Sequence, residues 1–416
     1  MSEGNSRASV CVVGLGYIGL PTAVVLAKAT GNVAGYEIDG EKRQVILGGR
    51  APFKEKGLDL ALQEVLESRS LTMAETLPDA NCYIVAVPTP IDGGKNVDLA
   101  YLNSAIIQIS ERLQGDELIV IESTCPPGTT QKVQSWVLET RPDLSSHIES
   151  DSIQFAYCPE RVLPGNILFE ITENDRIVGG LTGDAGERAK ALYESFCRGT
   201  IHLTDATTAE ITKLAENTFR DINIAFANEL EAISQDLGAD AWEVISLANQ
   251  HPRVNILKPG PGVGGHCIAV DPWFLVAAST SSTPVIEAAR MVNDAKPGQV
   301  VSRVVGAIEP QAVVSVLVLG ITFKENVDDV RESPAVTVVS ALARELPSSE
   351  ILVVDPMASE LPDCLSAATN VRFSAEVPGD FQDFDVVVGL VAHDDFRSIK
   401  TADFGEAIVV DTRNMF

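Results

Sequence analysis

No stretch of this chain approaches the roughly 20 consecutive apolar residues that a membrane-spanning helix needs. Its seven cysteines are scattered with no C-x-x-C pair, which excludes a disulfide framework and a cysteine zinc site. Its five histidines show no metal-ligand spacing, so no metal is expected. Basic residues are scarce: 31 Lys and Arg face 58 Asp and Glu, a formal charge of −27. That balance excludes nucleic acid as a partner and leaves any anionic ligand dependent on local cations and backbone N–H groups. Met1 to Ser9 is polar and lacks a secretory apolar region, so a cytoplasmic location is the expectation. No internal repeat is visible by motif.

Apolar residues make up 45% of the 416 positions, the composition of a globular protein too long for a single core. Apolar runs at 9–13, 32–37, 80–87, 118–122, 154–157 and 176–179 read as strands, with a helix at 19–29. The pattern turns helical at 209–237, which contains no Gly or Pro before residue 238, and again at 241–249 and 284–294. Strand-like runs return at 314–319, 350–354, 385–390 and 407–411. The expected fold is α/β: two Rossmann-like, doubly wound parallel-sheet domains, 1–205 and 309–416, joined by a helical middle domain, 206–308.

Two segments carry chemistry on their residues alone. Gly14-Leu15-Gly16-Tyr17-Ile18-Gly19 follows an apolar strand and opens a helix, the context in which G-x-G-x-x-G binds a dinucleotide pyrophosphate. Glu37 ends the next strand; a carboxylate there accepts from a ribose 2′-OH and repels a 2′-phosphate, which favours NAD. Lys42 is in reach of the same ribose, or is a solvated helix residue. The last sheet has no such glycine pattern, so no second dinucleotide is implied. The other segment is the loop from Pro259 to Gly265, including Gly264, which offers few side chains to block a ligand before it delivers Cys267. A thiol so placed can attack an electrophilic carbon, and with a nicotinamide site it suggests oxidation of an alcohol past the aldehyde to an acid.

Further candidates leave two readings open. Asp271 lies four residues after Cys267 and shares its face if the segment is helical; His266 is read as fixing the loop. Lys213 and Asn217 are one helical turn apart, continued by Ile224 and Asn228: either an oxyanion-stabilising pair or an exposed polar stripe. Glu160 ends a strand, where it acts as a general base or pairs with Arg161. Thr89 and Thr124 also follow strands, and either face a ligand or cap turns. Lys324 and Arg331 are phosphate-ligand candidates in a loop rich in acids, and Arg253 is another for an anion.

Residues 157–165 (Tyr-Cys-Pro-Glu-Arg-Val-Leu-Pro-Gly), 216–229 (Glu-Asn-Thr-Phe-Arg-Asp-Ile-Asn-Ile-Ala-Phe-Ala-Asn-Glu) and 251–274 together make the chain resemble the nucleotide-sugar 6-dehydrogenases, the family of UDP-glucose and GDP-mannose dehydrogenases. The resemblance covers essentially the whole chain. It implies oxidation of a sugar C6 alcohol with two NAD, through a thiohemiacetal and then a thioester on Cys267. It implies Lys213 and Asn217 beside the reacting oxygen, Asp271 beside water or the thiol, Glu160 as acid/base and Thr124 as a water holder. Thr89, Thr124 and Arg331 join the cofactor set. The implied substrate set is Arg161, Lys213, Asn217, Arg253, Gly264 and Lys324, with Arg253 supplied across a homodimer interface. Many UDP-glucose enzymes carry a second glutamate where Pro164 stands here. This implies the N-acetylhexosamine branch, with UDP-N-acetyl-D-mannosamine as the expected substrate. UDP-N-acetylglucosamine or UDP-glucose is the alternative, and a non-catalytic nucleotide-sugar binder the alternative of another class.

Overall fold

The computed structural model describes residues 8–92, 97–162, 165–265 and 267–416. His266 and Pro164, both singled out above, lie outside the described residues. The chain forms two compact units. The first comprises residues up to Ala215 with Trp273–Ala278, and the second Glu216–Pro272 with Ser279–Phe416.

The first unit is built on an eight-stranded sheet: β1 (Ala8–Val13), β2 (Val33–Tyr36), β3 (Leu71–Ala74), β4 (Ala80–Val85), β5 (Leu118–Ile121), β6 (Gln154–Tyr157), β7 (Arg176–Gly180) and β8 (Ile201–Asp205). The strand order is β3-β2-β1-β4-β5-β6-β7-β8. β1 is buried on both faces. Val10 and Val12 enter one apolar core, while Cys11 and Val13 enter the other. Period-2 packing of this kind is why the strand reads as an unbroken apolar run. The order reverses between β1 and β4, and in doubly wound sheets ligands bind at that switch point, beyond the strands' carboxyl ends. One pairing departs from a wholly parallel sheet: β6 and β7 run antiparallel.

The second unit holds a five-stranded, all-parallel sheet: β9 (Ser315–Leu319), β10 (Glu350–Val354), β11 (Val371–Ser374), β12 (Val386–Gly389) and β13 (Ile408–Asp411), in the order β11-β10-β9-β12-β13. It repeats the central order of the first sheet. β9 again divides its side chains, Val316 and Val318 to one core and Leu317 and Leu319 to the other.

The long helix spans Ala206–Asp236 and a second one Pro284–Ala307. The latter runs well beyond the expected 284–294 and straight through Pro297. A proline inside a helix costs about 3 kcal/mol. Here the turns beyond it place Val300, Val301 and Val304 in the core of the second sheet, and that burial outweighs the lost hydrogen bond.

Candidate active site

At the end of β1 each glycine of the turn has its own geometric reason. Gly14 has φ +87° and a Cβ there would meet the Ala86 carbonyl oxygen at 2.8 Å; a Cβ on Gly19 would meet the Gly14 oxygen at 1.9 Å. Gly16 faces open space, which leaves its backbone accessible to a pyrophosphate. Tyr17 stacks on Phe53, ring centroids 4.5 Å apart, and Ile18 precedes the helix Gly19–Thr30. Glu37 is buried at 7% exposure and accepts the N–H of Leu15 and of Asp39, both at 3.0 Å. Each carboxylate oxygen keeps a lone pair for a ribose hydroxyl. Lys42 is exposed, 3.9 Å from Asp39. The residues present therefore fit a dinucleotide.

Beyond β5 and β6 lies a buried charge cluster. The Glu160 carboxylate is 3.1 Å from Arg176, with side chains 8% and 4% exposed, and also accepts the N–H of Arg161 at 2.7 Å. Its ionic partner is thus Arg176 and not the Arg161 side chain, which donates to the Asp175 carbonyl at 3.0 Å. Arg161 also lines an open cavity of about 320 Å³ with His202, Thr208 and Thr212. Arg176 stacks over the ring of Tyr193, 4.9 Å to its centroid. The Tyr193 hydroxyl donates to Glu122 at 2.7 Å. Burial pushes the Glu122 carboxyl up to about 7, with Arg176 opposing and Glu160 reinforcing the rise. Thr124 is half-buried, and its carbonyl accepts the hydroxyl of Thr89 at 2.5 Å.

In the second unit, Cys267 is exposed at the head of the helix Asp271–Ala278. The Asp271 N–H donates to the Cys267 carbonyl at 2.8 Å, a helical i, i+4 bond. Asp271 is 2% exposed and accepts the Asn217 amide at 2.5 Å. Lys213, one turn back on the long helix, is 7% exposed. The polar stripe is not a solvated one, since Asn228 is also buried, at 1%. Asn228 accepts the Gly260 N–H at 2.9 Å, and Asn223 accepts that of Leu257 at 2.9 Å, so amides of the long helix pin the chain leading to the thiol.

The glycines of that loop answer to packing rather than to an open ligand path. A Cβ on Gly264 would sit 2.2 Å from the Glu332 carbonyl oxygen, and one on Gly265 (φ +80°) 2.9 Å from the Phe323 ring. The segment after β9, which carries Lys324 and Arg331, therefore lies against the thiol loop. Lys324 is half-buried. Arg331 is exposed and forks onto Asp329 at 2.9 and 2.7 Å. Arg253 is exposed.

Sequence reasoning passed over Arg176, Asp355 and His393. Arg176 left one signal, a lone cation opening an apolar strand. Asp355 left another, an acid following β10 as Glu37 follows β2. His393 left none.

Three family models match in order: the NAD binding domain of the UDP-glucose/GDP-mannose dehydrogenase family at residues 8–197, its central domain at 207–295 and its UDP binding domain at 317–416. An NDP-N-acetyl-D-galactosaminuronic acid dehydrogenase of Ralstonia nicotianae is 45% identical, covering 98% of this chain and 96% of its own. A UDP-N-acetyl-D-mannosamine dehydrogenase of Yersinia pestis is 42% identical over 99% of this chain and all of its own. The solved UDP-D-ManNAc dehydrogenase of Pyrococcus horikoshii superposes with a TM-score of 0.85 at 35% identity, covering 98% of this chain and 96% of that one. Among the described residues no helix is long and apolar enough to cross a membrane. With a dinucleotide turn, a nucleotide-sugar framework and full-length relatives in agreement, this chain belongs to the UDP-glucose/GDP-mannose dehydrogenase family and is an NAD-dependent nucleotide-sugar dehydrogenase.

Proposed function

We propose that the chain oxidises the C6 alcohol of UDP-N-acetyl-D-mannosamine to UDP-N-acetyl-D-mannosaminuronate in the cytoplasm. The observation that carries this reading is the exposed Cys267 thiol, one helical turn before the buried Asp271, which accepts the amide of the half-buried Asn217. The 42% identity to a UDP-N-acetyl-D-mannosamine dehydrogenase supports this choice of substrate.

NAD, when bound, accepts one hydride in each of two successive oxidations. Between them the Cys267 sulfur adds to the C6 aldehyde carbon and the carbonyl oxygen takes a proton, giving a thiohemiacetal. The second oxidation leaves a thioester. Glu160 then takes a proton from a water held by Thr124. The resulting hydroxide adds at C6, the C–S bond breaks, and the thiol regains its proton. Lys213 and Asn217 stabilise the developing oxyanions. Asp271 orients Asn217, and Lys324 holds the nucleotide phosphates. Arg161, Gly264 and Arg253 complete the substrate site, with Arg253 contributed across a homodimer interface. Gly14, Gly16, Tyr17, Ile18 and Gly19 hold the cofactor, helped by Glu37, Lys42, Thr89 and Arg331.

The 45% identity to the Ralstonia nicotianae protein favours a second reading, in which an N-acetylgalactosamine nucleotide is the substrate. The UDP derivatives of N-acetylmannosamine, N-acetylgalactosamine, N-acetylglucosamine and glucose are offered side by side, and NADH is counted per sugar consumed. The proposal expects two NADH per sugar, with N-acetylmannosamine turned over fastest. A higher kcat/KM for the galacto sugar transfers the assignment to it. Tight nucleotide-sugar binding with no NADH from any sugar makes the chain a binder.

A further inference from the structure

The C-terminal sheet repeats a device of the N-terminal one and then changes its use. In the first sheet Glu37, following β2, accepts the N–H of Leu15, just past the end of β1, and stays partly open. In the second, Asp355, following β10, likewise accepts the N–H of Ile321, past the end of β9, at 2.7 Å. Asp355 is fully buried. It takes three further N–H bonds, from Thr322 at 3.0 Å, Met357 at 2.8 Å and Ala358 at 3.1 Å, and a fifth from the imidazole of His393 at 3.1 Å. No lone pair remains for a ribose hydroxyl. The acid has become a structural anchor.

The anchored group is His393, whose side chain has no exposed surface. Its Nδ1 accepts the N–H of Asn326 at 2.9 Å. A backbone N–H can only donate, so the ring is neutral and its proton sits on Nε2. That Nε2 lies 3.1 Å from both Asp355 and the Thr322 hydroxyl, and the hydroxyl in turn donates to the Lys324 carbonyl at 3.0 Å. Asn326 adopts φ +59° and its side chain accepts the N–H of Asp394 at 3.0 Å, closing the turn from the far side. One imidazole therefore fixes both ends of residues 322–326. The turn it fixes carries Lys324, and also Phe323, the ring against Gly265 of the thiol loop.

We propose that His393 is a positioning residue for nucleotide binding, holding the 322–326 turn so that Lys324 meets the nucleotide's phosphates. The inference rests on the reading of Lys324 as a phosphate ligand. It predicts an asymmetry between two conservative replacements. His393→Asn keeps an acceptor near Nδ1 for the Asn326 N–H, whereas His393→Gln keeps a donor near Nε2 and loses that acceptor.

The test is calorimetric titration of the full-length enzyme with UDP, with NAD titrated in parallel. Expected are a five- to tenfold weaker UDP affinity for His393→Gln, the scale of one hydrogen bond, near-native affinity for His393→Asn and unchanged NAD affinity in both. Combined with Lys324→Ala, His393→Gln should add no further loss, because both changes remove the same contact. His393→Ala, which removes the Nδ1 acceptor together with the rest of the ring, carries the same comparison if His393→Gln does not fold. A loss in Lys324→Ala with none in His393→Gln, or losses that add in full, overturns the role of His393 alone. Native UDP affinity in Lys324→Ala overturns the phosphate-ligand reading beneath it.

Discussion

Sulfur in this chain occurs in two environments. Burial pushes the thiols of Cys82 and Cys158 up to about 12, and that of Cys11 higher still, so none of them forms a thiolate near neutrality. Cys267 and Cys364 are exposed. Iodoacetamide should therefore alkylate those two in the native protein, and a bound nucleotide sugar should protect Cys267 alone, as peptide mass spectrometry would report. Equal protection of both would argue against substrate at Cys267. Cys267→Ala should lower acid formation at least about 1000-fold while leaving NAD binding unchanged. The thiol was legible in the sequence because its glycine setting is local. The reason for those glycines was not, because Phe323 and Glu332 reach them from far along the chain. Glu122 gives a pH prediction at the same scale. Burial raises its folded value to about 7, so the native state holds a proton that the unfolded chain releases. Its contribution is complete below the ordinary carboxylate range and is lost as pH rises through about 7. Glu122→Gln should stabilise the protein at pH 8 by on the order of 3 kcal/mol and not at pH 4, measured by urea unfolding. An unchanged slope between those pH values would mean Glu122 is ionised in the native state.

Strands β3, β8 and β11 are not legible in the sequence, and all three are sheet edges. An edge strand needs fewer apolar side chains, and β8 buries none of its five residues fully. The central strands were legible because both of their faces are covered. The β6–β7 reversal and the passage of Pro284–Ala307 through its proline depend on distant partners, which local patterning does not encode. The long helix left a different trace. Phe219, Phe226 and Ile233 recur every seven residues and are 63, 52 and 48% exposed, with Leu237 at 78%. A heptad stripe of that size matches a partner helix, and we assign it to the homodimer proposed above. Phe226→Asp would place a charge in the middle of the stripe. Sedimentation at micromolar concentration should shift from dimer to monomer. A Phe226→Asp protein that sediments as the wild type would remove this face from the interface.

At the scale of the molecule, the charge of −27 sets a competition between two electrostatic terms. The excess of acids on the surface repels itself, and this repulsion is long-ranged and screened by salt, with a Debye length of about 8 Å at 0.15 M. Against it stand ion pairs, which salt weakens only where water reaches them. Some of the pairs among the described residues are buried: Arg290 lies 2.6 Å from Asp221 with side chains 2% and 0% exposed, and Lys296 meets Glu231 in the same helix pair. Buried pairs are little screened, so added salt relieves repulsion without dissolving them. The thermal midpoint should therefore rise by several degrees between about 0.02 and 0.5 M sodium chloride, within the range of a 1–3 kcal/mol change for a chain this long. The same salt should tighten the proposed homodimer, since its two subunits carry net charge of the same sign. A midpoint that falls with salt would mean that exposed pairs such as Lys28–Glu64 and Arg372–Glu350 outweigh the net charge. Potassium chloride and sodium sulfate at matched ionic strength separate screening from ion-specific effects: screening predicts the same midpoint in both, whereas surface exclusion of sulfate predicts a higher one.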